Sequence, residues 1–355
     1  MKKTILTLSL LLATSSAFGA TKYAYNVKSN ETAIEQNGKC SLTEAFENAY
    51  FESGVNTDCI AKVSEISGNK DRYQIFMPKG VDYVFKEPYK NTEFALPPVR
   101  NNVVLIGDRI NGDNSGLVSV ERYTTETWWD DNPDIKAAFD AEVDANFGDA
   151  PSTTKNVRQG FDFTSVEAGG NLIVKGVNFF WQSFYQFDDY GLFGGVNVNA
   201  VYNGVLNIQK HGKLSIRDSW MDTFSDTSID NAGKTSIKLS TITDWGSTAK
   251  SIVINTGIFR AKKSQIASQG FIPFESLITG IENKCGRLVV NSTDVNANDA
   301  ITGMETAPEC KTSIRIWNSR LGFEFTGVID NEVTSTFDVW RRVQVLDAHD
   351  FRFVL

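Results

Sequence analysis

The sequence predicts an all-β fold in which short parallel strands wind into a solenoid, and three observations carry that expectation. One phrase recurs six times: apolar, any residue, apolar, two loose positions, a small residue, any residue, apolar. The copies start at Leu172, Leu214, Thr235, Phe259, Leu288 and Ile314. Their sixth positions are Val177, Ser219, Ser240, Ser264, Thr293 and Ser319, separated by 42, 21, 24, 29 and 26 residues, the first gap holding two periods. A loose period in the twenties belongs to a solenoid, where each repeat stacks on the one before. The phrases are also too short for helices and rich in Val, Ile, Leu and Thr, so each reads as two strands meeting at a tight corner.

The elements follow in order. Residues 1–20 carry Lys2-Lys3, an apolar run from Thr4 to Thr14 and small residues ending at Ala20, the pattern of a bacterial signal peptide. The run is too short to span a bilayer, and no later stretch is long enough. The solenoid occupies 21–333, with a cap at 24–60. There Ser41-Leu-Thr-Glu44 is a capping box opening an amphipathic helix through about Tyr50. An acidic insertion at 121–158 carries Trp128-Trp129 and a helix expected from Pro133 to about Asn146, between a third strand at Leu117–Val120 and a first strand at Phe161–Phe163. Phe180–Gly195 is a second, aromatic interruption. From 205 onward a further short strand and turn precede each phrase, giving three strands per coil. Residues 334–355 read as a C-terminal cover.

Lys and Arg number 35 against 43 Asp and Glu, a net charge of -8; without Lys2 and Lys3 the exported chain stands at -10. That balance argues against nucleic acid and anionic membranes as partners. Four cysteines after a signal peptide suggest disulfides, and three pairings are open. Cys40–Cys59 with Cys285–Cys310 is favoured. The latter two fall in the turns before consecutive phrases, and a coil spacing of about 4.8 Å suits the roughly 4.4–6.8 Å between bridged Cα atoms.

The segment Cys40-Ser-Leu-Thr-Glu-Ala45 resembles the Cys-Ser-Leu-Arg-Glu-Ala motif that opens many exported bacterial β-helices, with Thr43 in place of the usual Arg. Leu96-Pro-Pro-Val99 followed by Asn102–Gly107 matches how such chains enter their first coils. The resemblance, from Ala24 to Phe325, implies a right-handed single-stranded parallel β-helix of the pectate-lyase-like superfamily. It says little of activity, because one fold hosts many functions.

Side chains alternate along a strand. With Ile208, Ile229, Ile254, Ile281, Met304 and Ile329 inside, the next residues form an outward acidic row: Gln209, Asp230, Asn255, Glu282, Glu305 and Asp330. Carboxylates about 5 Å apart need a cation, a base or a proton between them. Asp230, Glu282 and Glu305 are therefore candidate calcium ligands and acid–base groups, against the plainer reading of a solvated face. Lys210, His211, Lys234 and Lys284 flank the row in the following turns; of these Lys210, His211 and Lys284 are candidate catalytic groups, histidine being suited to proton transfer near neutral pH. Trp128, Trp129, Trp181, Tyr185 and Tyr190, with Asn255, are candidate sugar-binding residues over the same groove, whereas Trp220 inside a phrase reads as structural.

Zinc spacings, phosphate loops, nucleophile elbows and dinucleotide fingerprints are absent. So is the polygalacturonase pattern of paired aspartates near Gly-His-Gly, which places β-elimination above inverting hydrolysis. The overall plan resembles the exported β-helix lyases that digest bacterial biofilm matrix, such as those of vibrios. It implies a secreted, monomeric lyase acting on an acidic matrix polysaccharide. The alternatives are a non-catalytic carbohydrate-binding adhesin or matrix protein, and a glycoside hydrolase on the same fold.

Overall fold

The computed structural model describes residues 19–27, 32–52, 54–78, 80–86, 88–107, 116–119, 122–124, 157–159, 161–182, 185–187, 205–224, 227–244, 251–268, 279–297, 299–303, 312–321, 328–331, 336–340 and 344–345. Nearly all of them belong to three long parallel sheets that the chain visits in rotation. The first sheet has seven strands, from Thr164–Val166 to Val328–Asn331. The second has eleven, including Asn102–Ile106, Asn171–Lys175, Lys213–Arg217, Lys234–Lys238, Ile258–Lys262, Gly286–Asn291 and Thr312–Trp317. The third has nine, from Asp82–Phe85 to Gln344–Val345. Each strand pairs with its counterpart one coil later, so equivalent side chains stack. Leu172, Leu214, Thr235, Phe259, Leu288 and Ile314 form one such inward column. Burying each of its large apolar side chains contributes about 1.5–3 kcal/mol.

The recurring phrase spans the corner from the second sheet to the third. The residue before each small position sits in the left-handed region: Gly176, Asp218, Leu239, Lys263, Ser292 and Asn318, with φ between 49° and 62°. That conformation turns the chain within two residues and explains the loose fifth position. The small residue is a hydroxyl for a reason that spacing alone does not show. Ser219 Oγ accepts from Val177 N at 3.2 Å, Ser240 Oγ from Ser219 N at 3.2 Å, Ser264 Oγ from Ser240 N at 3.4 Å, and Ser319 Oγ from Thr293 N at 3.3 Å. Each hydroxyl supplies an acceptor for the corner amide of the coil before it.

The opposite corner, from the first sheet to the second, is built on glycine. A Cβ on Gly212 would meet Val166 O at 2.6 Å, and one on Gly233, Gly257 or Gly286 would collide with the carbonyl of the glycine a coil earlier. This close approach explains why Gly stands at or just before the start of the second strand in four successive coils, at 212, 233, 257 and 286.

Helix α1, Leu42–Phe51, is almost wholly buried and lies beside the first coils, Phe46 meeting Phe163 edge-on at 6.4 Å. Its capping box is formed: Ser41 Oγ accepts from Glu44 N at 3.2 Å and Glu44 Oε2 from Ser41 N at 2.8 Å. Thr43, where the resembled motif has Arg, is buried with its hydroxyl on Thr32 O. Cys40 is bonded to Cys59. Cys285 is also disulfide-bonded; its expected partner Cys310 lies outside the described residues.

Several features differ from the sequence reading. Asn171–Lys175 pairs directly with Lys213–Arg217, so the gap of 42 residues from Val177 to Ser219 is one long coil and not two periods. The first strand after the insertion is Thr164–Val166, three residues beyond the expected start, because Phe161 and Phe163 are drawn into an aromatic core. The third strand before it is Gly116–Ser119. The two interruptions pair with each other: Arg122–Thr124, Val157–Gln159 and Tyr185–Phe187 form a small antiparallel sheet. The helix expected from Pro133 lies outside the described residues. Thr336–Trp340 and Gln344–Val345 extend the second and third sheets in register. No helix among the described residues is long and apolar enough to cross a membrane.

Candidate functional site

Strand register places Asn207, Asp230, Ile254, Glu282 and Thr302 in one row of the first sheet, continued in register by the buried Ser165 and by Asp330. Asp230 and Glu282 hold the expected positions, and Asp330 stands in register with them. The others do not: Asn207 takes the place assigned to Gln209, Ile254 that of Asn255, and Thr302 that of Glu305. Asn255 is fully buried. It stands in an inward ladder, accepting from Asn231 Nδ2 at 2.7 Å and donating to Asn283 Oδ1. Alternation counted from apolar residues fails here because Asn side chains that bond one another along the stack satisfy themselves inside the core. In the next coil the register position is Gly303, so Asn283 Nδ2 is left without an acceptor.

Asp230 and Glu282 are thus two coils apart, about 10 Å along the stack, with Ile254 between them. Glu282 accepts from Ser251 Oγ at 3.0 Å and pairs with Lys284 at 3.4 Å. Burial raises the Asp230 carboxyl above the usual carboxylate range, opposed by the positive charge of Lys284. Calcium takes six to eight oxygen ligands. Two separated carboxylates beside an ammonium do not make such a set, and no group of three or more ligating side chains among the described residues does. Glu305 lies outside those residues.

Trp181 is a core residue. It is fully buried against Phe85, Phe161 and Phe163 at centroid distances of 5.6, 5.9 and 5.2 Å, with Nε1 donating to Phe161 O at 2.7 Å. It cannot stack on a sugar. Tyr185 lies on the antiparallel sheet, paired with Gln159; Trp128, Trp129 and Tyr190 lie outside the described residues. Trp220, read from its phrase as structural, is instead 42% exposed on the third sheet, near Phe180 at 44%. Its Nε1 donates to Asp222 Oδ1 at 2.8 Å. The signal available was its place one residue before an inward Met221.

Lys210 and His211 do come together, at the glycine corner rather than over the first sheet. They line a groove of about 690 Å³ whose floor is Gly212, Gly233, Gly257 and Gly286. Asp230, Glu282 and Lys284 do not line it. Its far wall is the first outward row of the second sheet, which places Lys213, Lys234, Ile258, Arg287 and Ser313 in register. Among the described residues no carboxylate lines this groove. Arg287 Nε is buried without a hydrogen-bond partner. His211 and Lys210 are exposed, and His211 holds φ 70°, where the preceding coil has Gly169 at 86°. A side chain kept in a conformation that glycine adopts more cheaply marks a position to test for function. A second groove of about 690 Å³ near the cap shares Lys213 with the first, and its border is mixed in charge, with Lys70, Arg72 and Arg100 beside Glu52 and Asp71. Sequence reasoning singled out Lys234 as a basic residue flanking the row but missed Lys213 and Arg287, because basic residues at strand starts are ordinary until register lines them up beside His211.

Compared with protein-family models, curated proteins and solved structures, the chain matches none of them.

Proposed function

We propose that this chain is an exported right-handed parallel β-helix that binds an acidic polysaccharide in the groove along its glycine corner and cleaves it by β-elimination. The observation that carries the reading is a carboxylate-free groove lined by Lys213, Lys234, Arg287 and His211 in a protein of net charge -8. A uronate carboxylate paired with Arg287 and Lys234 has its charge neutralised, which acidifies the proton on C5. His211 accepts that proton. The C5–H electrons form the C4=C5 bond, the C4–O4 bond breaks, and Lys210 returns a proton to O4. The glycine floor lets a chain of sugars approach the backbone.

Mixing the protein with polygalacturonate, alginate and other polyuronates is expected to raise the ultraviolet absorbance of a 4,5-unsaturated uronate. His211→Ala is expected to lower the rate at least about tenfold without unfolding the chain. A full rate in that variant removes the histidine from the mechanism. One observation favours a binding-only protein: His211 and Lys210 are exposed, whereas elimination sites exclude water. Polyuronate binding with no absorbance rise on any polymer decides for that reading.

A further inference from the structure

The outer face of the second sheet carries a feature that the groove does not use. Six successive strands, Asn171–Lys175, Lys213–Arg217, Lys234–Lys238, Ile258–Lys262, Gly286–Asn291 and Thr312–Trp317, contain nine Lys and Arg and no Asp or Glu. Four of the nine stand in one register: Lys175, Arg217, Lys238 and Lys262. All four are exposed, and among the described residues none pairs with a carboxylate. They run parallel to the stack, about 4.8 Å apart, and about 13 Å from the row that walls the groove. Like charges so closely spaced repel unless something negative lies over them.

The row is also rigidly mounted. Each cation is the last residue before the corner, and at three of the four a corner hydroxyl fixes its backbone: Ser219 Oγ donates to Arg217 O at 2.8 Å, Ser240 Oγ to Lys238 O at 2.9 Å, and Ser264 Oγ to Lys262 O at 3.0 Å. The repeated serine therefore holds these three at a constant rise, and Lys175, whose corner carries Val177, joins them through the strand register. Asp218 and Lys263, at the corner itself, offset one another in charge.

We infer that this row is an anchoring surface, separate from the groove, on which a linear carboxylated polysaccharide lies along the stack, one charged sugar to a coil. The identity of the polymer rests on the proposed function; the anchoring does not depend on the chemistry. The coil rise is close to the advance of one residue in an extended polyuronate. A DNA duplex fits worse, with a charge about every 1.7 Å of axis on strands that wind away from a straight row. Single-stranded nucleic acid needs aromatic platforms, and the outward positions on the four strands bearing the row are Asn, Ile, Ser, Lys and Arg.

The test measures binding of the whole exported chain to polygalacturonate and alginate, with dextran, duplex DNA and phosphatidylglycerol vesicles alongside. A variant carrying Lys175→Gln, Arg217→Gln, Lys238→Gln and Lys262→Gln is expected to bind polyuronates at least about tenfold more weakly, with a shallower dependence on salt, and to retain its rate on short oligouronates. The milder pair Arg217→Gln and Lys262→Gln, with an unchanged melting curve, is expected to fall between. Unchanged polyuronate affinity in both variants overturns the anchor, as does wild-type protein that binds DNA or vesicles more tightly than polyuronates. Loss of binding in the variants from a wild-type protein that shows no turnover supports the anchor and overturns the lyase alone.

Discussion

Replacing Ser240 with Ala tests the physical basis of the repeat. Its Oγ is the acceptor for Ser219 N at 3.2 Å, and both residues are almost fully buried, at 4% and 0% exposure, so water has no route to replace it. The same hydroxyl donates to Lys238 O, but that carbonyl keeps a second partner in Asp218 N at 3.1 Å. The main penalty is therefore one orphaned backbone amide, about 1–3 kcal/mol. Taking about 2 kcal/mol, the Ser219 amide should exchange with solvent about 30-fold faster, at tenfold per 1.4 kcal/mol. Hydrogen exchange resolved at Ser219 is the proper assay, because a stack of repeats need not unfold in one step. Ser240→Thr keeps the oxygen, as at Thr293 two coils further along, where Oγ1 donates to Asn291 O at 3.0 Å as the serines do to theirs, and should cost much less. Exchange at Ser219 unchanged in Ser240→Ala, or equal losses in the Ala and Thr variants, would refute the ladder as the reason for the small residue.

Leu239, 46% exposed at φ 52°, occupies the corner position that Gly176 fills two phrases earlier in the numbering of coils. Leu239→Gly relieves about 1–2 kcal/mol of left-handed strain against about 0.5–1 kcal/mol of added chain entropy; a net gain in urea resistance is expected, and a loss counts against the strain. Asp230→Asn is expected to stabilise the chain at neutral pH. The folded carboxyl titrates above its unfolded value, so stability falls as pH rises through that window and the deficit persists above it. The gain should disappear in urea melts below the unfolded carboxylate range, about 3.9; a gain that survives there has another cause. Tyr83 is fully buried with no partner for its hydroxyl. Tyr83→Phe should therefore add about 1 kcal/mol or more, and a lower urea midpoint would show that the hydroxyl is bonded.

The stacking of this fold was legible because its signal is periodic: every phrase returns the same inward positions, and Val177 through Ser319 do mark one corner. What failed was phase within the short first strands. Three to five residues are too few for alternation to outvote a polar side chain that satisfies itself, and Asn255 was turned the wrong way for that reason. Aromatics failed similarly. Trp181 and Trp220 each belong to a phrase-like context, and only the neighbouring coils decide that the former meets Phe163 while the latter meets solvent. Among the charged residues, Lys210, His211 and Lys234 were found through residue type and turn position, while Lys213 and Arg287 needed register.

The distribution of charge says more than its total. Setting the nine cations of the six second-sheet strands aside leaves 26 Lys and Arg against 43 Asp and Glu in the rest of the chain. On average, therefore, the rest of the chain repels a polyanion while these strands attract it. The contrast steers encounter to one face more strongly than a neutral protein with the same patch would, and salt weakens it. Net acidity, which argues against anionic partners when read as a single number, thus becomes an orienting device once the cations are segregated. The groove row and the anchoring row are edges of the same sheet, so a polymer attracted to that sheet meets both. A solenoid achieves this with little sequence, since repeating one cation at one position of the phrase extends the row by one coil.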